Sequence, residues 1–96
     1  MTLQGLRTTR RVEILKAGGQ RGAHKVRLFG SIVRGDNRPD NDVDFLVEME
    51  PCRALFDLSG LVLDLQGILG APIDVVTEAG LRSRVRDRVL AETVPL

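Results

Sequence analysis

Tryptophan and tyrosine are absent from this chain, and cysteine occurs once. Only Phe29, Phe45 and Phe56 remain to stack on bases or sugars, which disfavours a single-strand binding surface built from aromatic platforms. The lone Cys52 excludes an intrachain disulfide and a cysteine-rich zinc site, and favours a reducing, cytoplasmic home. Apolar runs never exceed three residues, as in Phe45-Leu46-Val47, against the roughly 20 needed to cross a bilayer, and the N-terminus shows no apolar signal-peptide core. No membrane association is expected. Charge of one sign is also lacking: 14 Lys+Arg against 13 Asp+Glu leave a formal charge of +1, so composition announces neither nucleic acid nor an anionic surface.

The 96 residues, 43% of them hydrophobic, suffice for one core, so residues 1–96 are read as a single domain, and a function that needs two domains requires a partner. A first helix is expected from about Leu3 to Ala17, with Leu3, Leu6, Ile14 and Ala17 on one face and Arg10 within the same stripe; Gly18-Gly19 would end it. Val26-Arg27-Leu28-Phe29 reads as a strand, and Gly30 to Gly35 as one helical turn. A polar loop from Asp36 to Asn41, broken by Pro39, leads to a second strand at Val43 to Val47. Leu55, Leu58, Val62, Leu65 and Leu69 predict an amphipathic helix with that stripe in the core; Gly70 and Pro72 end it before a third strand, Ile73 to Val76. Leu81, Val85 and Val89 mark the apolar stripe of a last helix.

The order implies an α/β (α+β) fold, a small three-stranded mixed sheet flanked by about four helices. The short link between the first two strands makes them antiparallel, and the helix between the second and third makes those parallel. The end of strand one and the starts of strands two and three then meet at one edge. On that edge lie Gly30-Ser31, Asp42, Asp44 and Asp74. Alternate strand residues share a face, about 6.6 Å apart, so Asp42 and Asp44 project together. Three converging carboxylates repel unless a cation neutralises them, and oxygen ligands at this density suit Mg2+. Two such ions form the clamp of in-line nucleotidyl displacement. Gly30-Ser31, between a strand and a helical turn, offers backbone N–H groups and a hydroxyl to an anion. Arg34 either pairs with phosphate or holds the Asp36 to Asn41 loop.

Leu28-Phe29-Gly30-Ser31-Ile32-Val33-Arg34-Gly35, followed by Asn41-Asp42-Val43-Asp44-Phe45-Leu46-Val47, resembles the signature of the minimal nucleotidyltransferases in the DNA polymerase β superfamily. That signature is Gly-Ser, ten residues, then Asp-x-Asp; residues 32 to 41 supply the ten. The resemblance implies a nucleotidyltransferase fold, Asp42 and Asp44 as ligands of the metal ions that hold a triphosphate, and Asp74 as the third carboxylate, bridging the metals or activating the attacking hydroxyl. It implies Gly30 and Ser31 as the grip on the outgoing phosphates. Asn41 stands where many relatives have Ser or Thr. Short members resemble antitoxins whose partner is a helical HEPN-type toxin. The implied reaction adenylylates a tyrosine of that toxin, with ATP as substrate and Mg2+ (two ions) or Mn2+ as cofactor. This chain has no tyrosine to modify in itself. A partner, or a second copy in a homo-oligomer, would complete the site. Binding-only neutralisation, and transfer to a small-molecule hydroxyl, are the alternatives; direct nucleic-acid binding is not expected.

Arg82, Arg84, Arg86 and Arg88 alternate along the last helix and are read as a solvated face eased by Asp87 and an Arg88 to Glu92 pair. His24 is expected at the surface, and Cys52 packed at a helix start.

Overall fold

Strand periodicity sets the architecture. In β2 (Val43–Met49) Val43, Phe45 and Val47 are buried among helices, while Asp44, Leu46 and Glu48 point to the other face, Leu46 buried and the two acids at least partly exposed. The computed structural model describes residues 2–36, 42–53 and 55–96. β2 pairs antiparallel with β1 (Ala23–Phe29) and parallel with β3 (Ile73–Thr77), the directions expected from the loop lengths. A fourth strand, β4 (Val94–Pro95), joins the outer edge of β1, giving the order β3-β2-β1-β4 where three strands were expected. Two residues, one of them a proline, carry too little alternation to register as a strand.

Among the described residues five α-helices flank the sheet: α1 (Leu3–Thr8), α2 (Arg11–Gln20), α3 (Ser31–Arg34), α4 (Leu55–Leu69) and α5 (Ser83–Glu92). The single helix expected at the N-terminus is two, broken at Thr9 and Arg10. Both of their N–H groups donate to Gly5 O, at 2.9 and 3.3 Å, which turns the chain. The break takes Arg10 out of the apolar stripe, where a continuous helix would bury it, and lets it meet Glu13 at 3.3 Å in solvent. α2 then runs through Gly18 and Gly19 instead of ending there.

Leu6, Ile14, Ala17, Leu61 and Leu65 pack against Leu28, Val43, Phe45, Val47, Ile73 and Val75 to form the core. In α4 the buried stripe is Leu61 and Leu65 with Leu58 and Leu69 at its edge, while Leu55 is 78% exposed, contrary to the expected stripe. Leucines at 55, 58, 61, 63, 65 and 69 allow stripes of three- and four-residue steps to be drawn in more than one way, and the sheet selects the one centred on Leu61. Gly70 takes the left-handed conformation, φ +63°, that ends α4. α5 is different in kind. Of its residues only Val89 is buried, and Val85 is half-exposed.

Candidate active site

The expected sheet edge forms. Phe29 of β1 lies opposite Asp44 of β2, and Asp44 lies beside Asp74 of β3 in parallel register. Neighbouring strands run about 4.8 Å apart, so Asp44 and Asp74 stand side by side on one face; Asp42, two residues earlier, belongs to the same face. Asp42 and Asp74 are exposed and Asp44 is half-buried. Burial first, then the charges of Asp74 and Asp42, push the Asp44 carboxyl up to about 6, with Glu92 adding to the rise and Arg34 opposing it. Among the described residues no three His, Cys, Asp or Glu side chains form a set that would hold a metal ion unaided.

Gly30 follows β1 directly, at φ +78°, a conformation open to glycine and costly for other residues. A Cβ there would overlap Asp44 Oδ2, so the absent side chain is what lets the main chain lie against this carboxylate. Its carbonyl accepts from the N–H groups of Val33 and Arg34, both at 3.1 Å, and Ser31 O accepts from Gly35 N at 2.9 Å. α3 is thus one turn set between Gly30 and Gly35, the latter at φ +80°. Ser31, at its first position, is partly exposed.

Arg34 reaches two carboxylates: Nη1 donates to Glu92 Oε1 at 2.8 Å and Nε to Asp36 Oδ2 at 3.4 Å. Glu92 Oε1 also accepts from Gly30 N at 2.8 Å. Glu92 was expected beside Arg88; it is instead part of the edge, and sequence reading missed it. The signal lies in β4, since Leu28 pairs with Val94, and continuing that antiparallel register by two residues brings Glu92 opposite Gly30. Arg86 pairs with Glu78 at 3.0 Å, and Glu78 also meets Arg27 at 3.1 Å; the two guanidinium hydrogen bonds hold the Glu78 carboxyl below its ordinary value. His24 is at the surface, with Nε2 2.9 Å from Glu50 Oε1. Cys52 is exposed, not packed at a helix start. Asn41, with the loop around Pro39, lies outside the described residues.

A glycine turn thus lies against one strand's end, with carboxylates on the next two strands. The family profile for the nucleotidyltransferase domain matches residues 12–96. This chain belongs to the nucleotidyltransferase family. It is 37% identical over 73 residues to the protein adenylyltransferase MntA of Thermococcus cleftensis, covering 76% of this chain and 74% of that protein. A solved minimal nucleotidyltransferase superposes with a TM-score of 0.88 at 46% identity, over 100% of this chain and 97% of the other. The fold is also that of a chain in the complex of tri-AMPylated Shewanella oneidensis HEPN toxin with MNT antitoxin, with a TM-score of 0.70, 16% identity and coverage of 93% and 70%. The nucleotidyltransferase fold expected from the Gly-Ser and Asp-x-Asp spacing is therefore present, on a sheet of four strands. Among the described residues no helix is long and apolar enough to cross a membrane.

Proposed function

We propose that this nucleotidyltransferase moves AMP from ATP to a tyrosine hydroxyl of a helical HEPN-type toxin and thereby acts as its antitoxin. The observation that carries the reading is the register that aligns Phe29, Asp44 and Asp74 and packs Gly30 against Asp44. The likeness to a named protein adenylyltransferase, and to a fold found in a complex with an AMPylated toxin, supports the donor and the partner.

The residues present fit a divalent cation. Asp42, Asp44 and Asp74 are oxygen donors on one face, and the Asp44 carboxyl is pushed up by burial first and then by the charges of Asp74 and Asp42, which Arg34 only partly opposes. Mg2+ is commonly held by one or two carboxylates together with substrate phosphates, which matches a carboxylate set that is not a closed cage by itself. Bound there, Mg2+ or Mn2+ would offset the charge of the carboxylates and of the triphosphate, as two-ion sites do. The protein supplies the rest. The Ser31 hydroxyl and the turn it opens grip the outgoing phosphates, with Arg34 adding a cation beside them. The tyrosine oxygen attacks the α-phosphorus, the bond to the β-phosphate oxygen breaks, pyrophosphate leaves, and Asp74 receives the hydroxyl proton.

Incubation with ATP labelled in its α-phosphate, Mg2+ and the product of the neighbouring gene tests the reading. Label passes to the partner with the wild-type chain and not with Asp42→Ala/Asp44→Ala; transfer that survives the double substitution contradicts the mechanism. Full neutralisation of the toxin by Asp44→Asn would favour binding-only action.

A further inference from the structure

Glu92 closes α5, and its side chain is only 27% exposed. One oxygen, Oε1, accepts both the Gly30 N–H and an Arg34 Nη1–H at 2.8 Å. It lies where the β1–β4 ladder would continue: after Leu28 and Val94 pair, the Glu92 side chain takes the place of a further strand partner and satisfies the last β1-side donor before α3. Gly30 is therefore held from two sides, by Glu92 through its amide and by Asp44 against its α-carbon. Arg34 is held at two points, Nη1 on Glu92 and Nε on Asp36, which leaves Nη2 without a described protein partner. A guanidinium fixed in this way loses less entropy on meeting a phosphate than a free one.

We propose that Glu92 is a positioning residue of the nucleotide site, tying α5 to the Gly30 amide and setting the Arg34 guanidinium beside Asp44 to receive the triphosphate. The inference rests on the reading that Ser31 and Arg34 hold phosphates. The opposite role, a carboxylate that competes with phosphate for Gly30 N–H and Arg34, predicts the opposite sign. With Gly30 N–H facing the β4 side and Asp44 standing on the β2 side, Glu92 occupies the strand position.

Titration of the full chain with AMP-PNP in the presence of Mg2+ tests this. Glu92→Ala weakens binding about tenfold, the scale of losing charge-assisted hydrogen bonds in a half-exposed site. Glu92→Gln, which keeps an acceptor for Gly30 N–H, weakens it less and guards against a variant that fails to fold. Because Glu92 acts in part through Arg34, the loss in Glu92→Ala/Arg34→Ala is smaller than the sum of the two single losses, a coupling that a purely structural role would not produce. Unchanged or tighter binding by Glu92→Ala, or additive losses in the double variant, overturns the proposal while leaving the nucleotide site standing. A wild-type chain that binds no AMP-PNP with Mg2+ overturns both.

Discussion

On one face of the sheet Val43, Phe45 and Val47 lie buried beneath α2 and α4, whereas on the other face Asp44, from the same strand, has Asp42 and Asp74 for neighbours. The first arrangement removes apolar surface from water and gains stability with every residue. The second part-buries Asp44 and sets like charge beside it, and burial first, then the charges of Asp74 and Asp42, push its carboxyl up to about 6. α5 belongs to this second region: only Val89 is buried, and Glu78–Arg86 and the Glu92 bonds to Gly30 and Arg34 tie it down. One region supplies stability, and the other carries the candidate site.

Truncation on the helix-covered face should have the largest effect. Phe45 is fully buried, and Phe45→Ala is expected to cost about 3 to 5 kcal/mol, a fall in Tm of more than about 12 °C in a domain of this size. A shift of only a few degrees in a calorimetric scan would break the contrast between the faces. Gly30→Ala comes next, because it adds a side chain at φ +78° and against Asp44 Oδ2; about 1 to 3 kcal/mol should be lost, together with nucleotide transfer. Normal activity in that variant would mean that the close approach is dispensable.

Asp44→Asn should act in the reverse direction. An acid whose folded pKa exceeds its unfolded value favours the folded state fully below the unfolded value, near 3.8, and loses that contribution as pH rises through about 6. Above pH 6, without divalent cations, the Asn variant should therefore be the more stable, by on the order of 1 kcal/mol once solvent screening is allowed for. Near pH 4 the difference should vanish. Thermal scans at the two pH values check the sign. Smallest of all is Arg86→Ala, which removes an exposed partner of Glu78 while Arg27 remains; Tm should move by no more than about 2 °C.

Where the candidate site residues fall in the fold was largely legible, because that placement depends on strand alternation and loop length. Asp42 and Asp44 had to share a face, the short link after Phe29 had to reverse the chain, and α4 had to bring β3 back parallel, so the three strand ends had to meet. What escaped depended on tertiary context. The α1–α2 break follows from where a buried stripe would carry Arg10, a cost that local propensity does not report. The exposure of Leu55 depends on which of several leucine stripes the sheet accepts. Glu92 entered the site through β4, a strand of two residues that only its partner β1 defines.

The central claim is that the carboxylate face is unbalanced charge built to receive a cation together with a triphosphate. The most direct test is a calorimetric titration of the chain with AMP-PNP, with and without Mg2+, in buffers of different ionisation enthalpy near pH 6. The account predicts binding that requires Mg2+, with release of a proton from Asp44, and loss of both in Asp44→Asn. Nucleotide binding that is independent of Mg2+ and undiminished in Asp44→Asn would contradict it.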